Sequence, residues 1–375
     1  MIREKEEVRS SGGWSRRTFV ATCAASGACL LNDTLPFRAL AAFLPAKTAG
    51  RNVVQTVTGP VDCAHLGTTL MHEHVLFGPI PEDLRSNSVD FAVQTLNDAA
   101  RVGVKTVVDL TPFRDIKLYQ QVAGRTAVRI VASTGFYLRH RVPKWMADID
   151  DEKQMEDRMR HDVTEGIDDS KVRAGIIKVA GDKSPLSDWE KKVFRAAARV
   201  QKTTGARIGT HAVYAPREQF DLLVKTGANP NRLFFSHPET KSCWQGHTRE
   251  EKLAEFLSIT KEGGYILFNN FGEEYYTPWV DMVYLMRGLC DKGYANRIFI
   301  SVDCNWEWKN RQRVFEAADA PFFDPNAAKR TYGYMMTDVV PTMLKSGFTK
   351  KELDIFLIEN PRRFFSGASQ AHKTG

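Results

Sequence analysis

The chain has 375 residues, 43% hydrophobic and 26% charged, with a formal net charge of +7 at pH 7. This composition is typical of a soluble globular protein, and the lack of a basic run of five residues argues against nucleic acid as a partner. No apolar run approaches the ~18 residues needed to cross a bilayer, so we expect no stable membrane insertion. Six cysteines without a C-x-x-C pair exclude a disulfide scaffold for a chain of this size.

The first 50 residues differ from the rest and indicate a targeting segment. Arg16 and Arg17 stand in an S-R-R-x-F frame before a stretch of small, moderately apolar residues, as in a twin-arginine export signal. Residues 39–41 (Ala-Leu-Ala) are a predicted cleavage site, with an alternative at 43–46. The sequence therefore predicts a signal peptide over residues 1–41 and a periplasmic or secreted protein. The alternative is an amphipathic N-terminal helix on a cytoplasmic protein.

Eight short apolar runs, rich in β-branched residues, recur along the remaining chain. They show little polar alternation in their middles, which is typical of strands buried on both faces in a parallel sheet. We predict strands at residues 68–75, 104–110, 129–136, 174–180, 206–212, 233–239, 264–271 and 298–304.

Segments with helical periodicity lie between these runs. The segment 188–205 begins at Asp188, a candidate N-cap, and the segment 248–264 begins with Thr248 and Glu251 in capping-box spacing. Strand, loop and helix repeated eight times predict an α/β fold, a single (β/α)8 TIM barrel over residues 50–368. The rival is an open doubly wound sheet, which the lack of a glycine-rich loop after the first strand disfavours.

In such a barrel, functional side chains collect at the carboxyl ends of the strands. Two histidines at positions i and i+2 on the first strand point to the same face. Further metal-ligand types stand on the fourth, fifth, sixth and eighth predicted strands, so the sequence predicts a metal site on one rim. The residues are His72, His74, Lys178, His211, His237 and Asp303.

Lys178 is the unusual member of this set because an ammonium group has no lone pair for a metal. Its apolar strand would desolvate the amine, lower its pKa and favour the neutral form. A neutral amine can add carbon dioxide to form a carbamate, an anionic ligand that can bridge two metals. The alternative is a lysine paired with a buried carboxylate.

Together these motifs resemble the phosphotriesterase family of the amidohydrolase superfamily, including the phosphotriesterase-like lactonases. The likeness spans residues 54–365 and rests on HEH (72–74), GIIKVA (175–180), GTHA (209–212), FFSHPE (234–239) and SVDC (301–304). VVDLTPFRD (107–115) and ENPRRFF (359–365) look like further parts of the family pattern.

The resemblance implies a centre with two divalent metal ions and assigns a role to each residue. His72, His74 and Asp303 would hold the more buried ion, and His211 and His237 the more exposed one. Carboxylated Lys178 and a hydroxide would bridge the ions, and Asp303 would act as the catalytic acid or base. The ligands suit zinc, but also cobalt, manganese or iron.

The function implied by the resemblance is metal-dependent hydrolysis of a small ester, lactone or organophosphate. We favour a lactone or carboxylic ester as the substrate, with phosphotriester cleavage as a side activity. Three alternatives stay open: an amide (N-acyl) hydrolase on the same centre, a mononuclear enzyme in which Lys178 is unmodified, and an exported binding protein without turnover. A homodimer is also left open.

Two parts of the sequence depart from the family pattern or extend it. Thr240 stands where the family often has an aspartate of a proton path, with Glu239 beside it, and His247 is a candidate substitute. The segment 305–334 is long and aromatic, which predicts a lid over an apolar pocket, the alternatives being a dimer contact or simple loop packing. Tyr137 and Trp279 are further candidate pocket walls.

Overall fold

A computed structural model of the protein describes residues 52–315 and 329–367. The predicted signal peptide at residues 1–41 and both candidate cleavage sites lie outside these residues. A search of the described ranges finds no helix that is both long and apolar enough to cross a membrane.

A parallel eight-stranded sheet forms the centre of the fold and confirms the predicted (β/α)8 barrel. Each strand pairs with the next one along the chain, in order from the first to the eighth. A β-hairpin, β1 (Val53–Thr56) and β2 (Gly59–Asp62), precedes the barrel. The barrel strands are β3 (Thr69–Glu73), β4 (Thr106–Asp109), β5 (Arg129–Gly135), β6 (Ile176–Ala180), β7 (Ile208–His211), β8 (Leu233–Ser236), β9 (Tyr265–Phe268) and β10 (Ile298–Ile300). A second hairpin follows them, β11 (Trp306–Lys309) and β12 (Gln312–Phe315).

Helices connect successive barrel strands, as the periodicity predicts. The capping box of Thr248 and Glu251 is confirmed, whereas the N-cap predicted at Asp188 is wrong. Ser187 caps that helix instead, because its hydroxyl accepts from the backbone of Glu190 while the Glu190 carboxylate accepts from Ser187. The helices are α1 (Arg85–Arg101), α2 (Ile116–Ala123), α3 (Lys144–Ala147), α4 (Glu152–Thr164), α5 (Asp188–Thr204), α6 (Pro216–Lys225), α7 (Arg249–Lys261), α8 (Trp279–Asp291), α9 (Val340–Lys345), α10 (Lys350–Asp354) and α11 (Asn360–Ser366).

Large apolar side chains fill the barrel interior toward the amino ends of the strands. Tyr265 and Phe299 stack with ring centroids 4.7 Å apart, and Phe364 of α11 packs edge-on against both rings. Asn360 anchors α11 by donating to the carbonyls of Ala295 and Ile298. The ENPRRFF segment therefore closes this end of the barrel, and the interior is a packed core rather than a channel.

The first and last strands meet without a regular ladder in the described barrel. The backbone N–H of His74 donates to the Cys304 carbonyl at 3.1 Å, and the N–H of His72 donates to the Ser301 hydroxyl at 3.0 Å. We call this junction of β3 with the segment 300–304 the seam. One backbone hydrogen bond together with side-chain contacts closes the barrel at the seam in place of a regular ladder.

Candidate metal centre

Regular strand alternation places two of the predicted ligands in the barrel. Along β6, Ile176 packs in the interior core and Ile177 packs toward the helices, so Lys178 faces inward. Along β7, Ile208 faces the helices, and His211 follows three positions later on the inner face. For Lys178 and His211, the two-residue period of a strand is sufficient to predict the position.

Irregular backbone places the other ligands. Between β3 and β4, Met71 and His72 stand against the single residue Val108, so a β-bulge turns His72 inward above Met71. His237 follows β8 with φ of 64°, and Asp303 follows β10 with φ of 52°. Non-glycine residues rarely adopt this left-handed conformation, and it ends the strand alternation at both sites.

All six predicted side chains line one cavity of about 210 Å³. Asp303 lies at the centre of the histidines: its Oδ1 is 3.5 Å from His72 Nε2 and 3.2 Å from His74 Nε2, and its Oδ2 is 3.4 Å from His237 Nε2. The His211 ring centroid is 4.7 Å from that of His237. The Lys178 Nζ lies 3.3 Å from His72 Nε2. The structure therefore brings the whole predicted set together.

The burial of these side chains sets their protonation. Burial, followed by the nearby Lys178, holds the pKa of His72 well below its usual range, and burial with His237 does the same for His211. Burial lowers the pKa of His237 to about 4. Although burial alone would raise the pKa of Asp303, the surrounding histidines outweigh it and hold that pKa well below its usual range. At neutral pH, His72, His211 and His237 are neutral and Asp303 is ionised.

This chemistry fits a bound divalent cation. Metal ligation requires neutral imidazole and ionised carboxylate, which are the forms that the cavity favours. Among the described residues, His72, His237 and Asp303 each offer one ligand atom, and these three atoms lie within 4.8 Å of one another. Lys178 is fully buried, and burial lowers its pKa to about 7. The charges of the carboxylates of Asp303 and Asp109 act against this lowering.

Buried polar side chains orient two of the histidine rings. Thr111 Oγ1 is 2.7 Å from His74 Nδ1, and its own backbone N–H is held by the Asp109 carboxylate. The Asn269 amide nitrogen is 3.0 Å from His237 Nδ1, and its Oδ1 accepts from the His237 backbone. Such partners fix the orientation of metal-binding imidazoles. Sequence reasoning missed both residues, although each directly follows a predicted strand or lies at its end.

A second cavity, of about 810 Å³, adjoins the first. The two share Phe77, Arg141, Tyr276 and Asn305 in their linings, and Phe113 and Trp145 are among the apolar walls of the larger one. Tyr137 lines the smaller cavity as predicted, with its ring 5.3 Å from that of His211. Trp279 does not line either cavity: it begins α8 and donates to the Ser346 hydroxyl. The prediction for Trp279 is therefore wrong.

The aromatic residues after the eighth strand act mainly in packing. Trp306 is buried against Phe91, Trp308 donates to the Ser88 hydroxyl, and the Tyr332 hydroxyl donates to the His74 carbonyl at 2.9 Å. Asn305 and Glu307 of this segment do line a cavity. The predicted lid is wrong for these three aromatic residues, and the side chains of Phe315, Phe322 and Phe323 lie outside what the structure describes.

The structure also shows the positions of the three residues considered for a proton path, Glu239, Thr240 and His247. Glu239 is fully buried, accepts from the backbone N–H groups of Asn269 and Asn270, and has its pKa raised to about 7 by burial. Thr240 accepts from the Asn270 amide. His247 is exposed and 2.6 Å from the Trp244 carbonyl, outside the cavity lining, so it is not a substitute relay.

A TIM barrel with four histidines, an aspartate and a lysine at the carboxyl ends of its strands defines the class of metallohydrolase-like barrels. Within that class, the family of this chain can be stated. The model of the phosphotriesterase family matches residues 52–365, and the chain belongs to that family.

Individual relatives extend this result. The chain is 30% identical over 336 residues to a phosphotriesterase homology protein of Mycobacterium tuberculosis, covering 83% of this chain and 97% of the relative. It is 26% identical to an N-acetyltaurine hydrolase of Salmo salar, covering 84% and 97%. Among solved structures, a variant of a phosphotriesterase-like lactonase from Deinococcus radiodurans matches with a TM-score of 0.72 and 31% identity, covering 83% of this chain and 99% of that one.

Proposed function

We propose that the protein is a metal-dependent hydrolase that cleaves a lactone or carboxylic ester at a centre of two divalent cations. The observation that supports this most strongly is the convergence of the six side chains, from five strands, on one cavity. His72, His74 and Asp303 would hold one ion and His211 and His237 the other, with carboxylated Lys178 between them. Two ions bound there would polarise the scissile bond and lower the pKa of a shared water.

Asp303 is the residue best placed to take a proton from the attacking water. Its Oδ1 and Oδ2 both face the cavity, and its low pKa keeps it ionised and able to accept. The neighbouring Glu273 carboxylate lines the same cavity and would repel an anionic substrate, and its pairing with buried Arg330 reduces this repulsion only in part. We therefore favour a neutral reacting group.

Lys178 contributes by holding its amine in the neutral form. A neutral amine on a buried strand is nucleophilic toward carbon dioxide, and the carbamate formed with loss of one proton would place two oxygens among the histidines. Zinc is our proposed metal, with cobalt, manganese or iron as the alternatives that metal analysis would separate.

The adjoining cavity supports a substrate with an apolar portion. Phe77, Tyr276 and Asn305 connect the space around the six side chains to the walls formed by Ile80, Phe113 and Trp145. The apolar part of a lactone or aryl ester would be desolvated there, while the reacting carbonyl stays at the polar end.

The test is turnover by purified, metal-analysed protein on aryl esters, lactones, paraoxon and N-acyl amides, each with and without chelator. We expect lactone or ester hydrolysis that a chelator abolishes and added zinc or cobalt restores. Hydrolysis that survives complete metal removal, or metal-loaded protein that binds these compounds without turning any over, would contradict the proposal. The second outcome would favour the exported binding protein.

An amide hydrolase on the same centre is the second candidate function. The likeness to an N-acetyltaurine hydrolase favours it, because that relative is named for cleavage of an N-acyl bond. Faster turnover of N-acyl amides than of esters and lactones in the same panel would establish this alternative.

Export is a separate part of the proposal. We propose that residues 1–41 direct the folded protein out of the cytoplasm through the twin-arginine motif. The double substitution of Arg16 and Arg17 by lysine should retain the full-length chain in the cytoplasm, whereas the unchanged chain should lose its N-terminus in the periplasmic or secreted fraction. If the wild-type protein still begins at Met1, whether it is found outside the cytoplasm or inside it, the proposed cleavage is contradicted.

A further inference from the structure

The carboxylate of Glu73 lies between the two ligands of the first strand and yet faces away from the metal cavity. Its side chain is fully buried. An ionised carboxylate is costly to bury unless hydrogen bonds replace its water. The partners of Glu73 therefore indicate what the residue does at this position.

All three donors to Glu73 come from the end of the last barrel strand. Its Oε1 accepts from the Ser301 hydroxyl at 2.6 Å and from the Val302 N–H at 3.0 Å. Its Oε2 accepts from the Cys304 N–H at 2.7 Å. The two backbone donors are the residues directly before and after Asp303, so one carboxylate accepts from the backbone N–H of the neighbour on each side of the proposed acid-base residue.

These hydrogen bonds act on a backbone segment whose conformation is unfavourable by itself. Asp303 has a φ of 52°, a left-handed conformation that non-glycine residues adopt only where the surroundings impose it. The hydrogen bonds from the Val302 and Cys304 N–H groups to the buried Glu73 carboxylate hold the backbone on both sides of Asp303. They turn Asp303 into the cavity, where its oxygens lie 3.2 to 3.5 Å from three imidazoles.

The same carboxylate also fixes His72. The Ser301 hydroxyl, which donates to Glu73, accepts from the His72 backbone N–H at 3.0 Å. Glu73, Ser301 and the peptide groups around Asp303 thus form one network across the seam, where the first and last strands lack a regular ladder. We infer that Glu73 is a positioning residue that sets the separation of His72 and His74 from Asp303, and through it the geometry of the metal centre. This inference rests on the proposed function.

The chain offers a close control for the test. Glu190 is also buried, and it likewise accepts from two backbone N–H groups, those of Asp182 and Ser187, and from one serine hydroxyl, that of Ser187. Its contacts cap α5 and touch none of the six cavity ligands. Glu73→Gln and Glu190→Gln therefore remove a similar set of hydrogen bonds from two different places.

The experiment uses the full-length protein, stripped of metal and titrated with Co²⁺ while its visible absorption band and its thermal melting are followed. We expect Glu73→Gln to lose about 10- to 100-fold in Co²⁺ affinity and kcat, with an altered absorption band and an unchanged KM. Glu190→Gln should melt at a lower temperature with the band, affinity and kcat of the wild type. Ser301→Ala should change the band and kcat in the same direction as Glu73→Gln, but less.

An unaltered Co²⁺ band, affinity and kcat in Glu73→Gln would overturn the role of Glu73, as would equal losses in Glu190→Gln. If Glu73→Gln does not fold, Ser301→Ala decides the question in the same assay, and wild-type behaviour in that variant would overturn the inference. Failure of the wild-type protein itself to bind Co²⁺ would instead overturn the proposed function together with this inference, so the two failures are distinguishable.

Discussion

Two groups of cavity side chains reach the same place by different means. Lys178 and His211 stand on regular strands and face inward by simple alternation. His72, His237 and Asp303 depend on a bulge or on left-handed backbone; buried Asn269 contacts His237, and buried Glu73 accepts from the residues on either side of Asp303. The comparison indicates that the regular half of the centre is set by local sequence, whereas the irregular half is set by contacts between distant segments. Substitutions in the two halves should therefore fail differently.

The largest effect is expected in the regular half, at Lys178 itself. Lys178→Ala removes the group that would carry the carbamate, while the strand around it stays intact. We expect kcat to fall by more than about 100-fold and one metal equivalent to be lost. This loss of kcat exceeds the loss usually seen when a residue that hydrogen-bonds to a metal ligand is replaced. Acetate or propionate should restore part of both, since a small carboxylate can enter the vacated space.

Unchanged metal content and activity in Lys178→Ala would show that the centre does not use this residue. Loss without any rescue by carboxylic acids, together with a single metal equivalent in the wild type, would support the mononuclear alternative.

In the irregular half, Asn269→Ala should disturb the centre without removing a ligand. The variant loses the contacts of Asn269 with the ring and the backbone of His237, so we expect metal affinity and kcat to fall about 10- to 100-fold. Isothermal titration of the stripped protein with Zn²⁺ measures the affinity.

Asn360→Ala is the matched control for this substitution. Asn360 is equally buried and donates to two backbone carbonyls at the opposite end of the barrel. It should lower the melting temperature and leave Zn²⁺ affinity unchanged. Equal loss of affinity in both variants would mean that the effect of Asn269 is only one of stability.

The pH dependence of reactivation tests the state of Lys178. Because burial lowers its pKa to about 7 from 10.5, the protonated amine dominates below about pH 7 and the neutral amine above it. Only the neutral amine adds carbon dioxide, with release of one proton to solvent, so the rate of reactivation of metal-stripped protein by Zn²⁺ at a fixed concentration of dissolved carbon dioxide should rise about tenfold from pH 6 to pH 8. A rate that rises only as the pH nears 10 would indicate an ordinary, solvated lysine.

The smallest effect on catalysis is expected from Gly209→Ala, which tests the packing beneath His211. An added Cβ would lie 2.4 Å from the Cζ atom of the buried Phe234 ring, so the ring must shift. We expect a loss of about 1–3 kcal/mol in the free energy of unfolding, measured by denaturant titration, and little change in metal affinity. A loss of metal without a loss of stability would show that the regular half is also sensitive to small displacements.

The sequence predicted the barrel, Lys178 and His211 because these follow from short-range patterns, and it selected His237 and Asp303 because each stands at the end of a predicted strand. Strand alternation is visible in GIIKVA and GTHA, and the i, i+2 spacing is visible in HEH. The hydrogen bonds of Glu73 to the backbone around Asp303 could not be predicted in this way, because Glu73 and Val302 have a sequence separation of 229 residues. The left-handed residues His237 and Asp303 carry no glycine to indicate them.

The roles of the aromatic residues after the last strand could not be predicted from the sequence either. Trp306, Trp308 and Tyr332 all stand in a segment whose composition suits a lid, yet their side chains pack inward or hold the HEH segment. Composition gives the kind of side chain, but its direction depends on which buried partners, such as Phe91, Ser88 or the His74 carbonyl, lie within reach.

The most direct test of the account is a crystal structure of the zinc-loaded protein with an anomalous difference map at the zinc edge. We predict two peaks in the cavity, one beside His72, His74 and Asp303 and one beside His211 and His237, with extra density on the Lys178 Nζ between them. A single peak or none, with a bare amine on Lys178, would contradict the account.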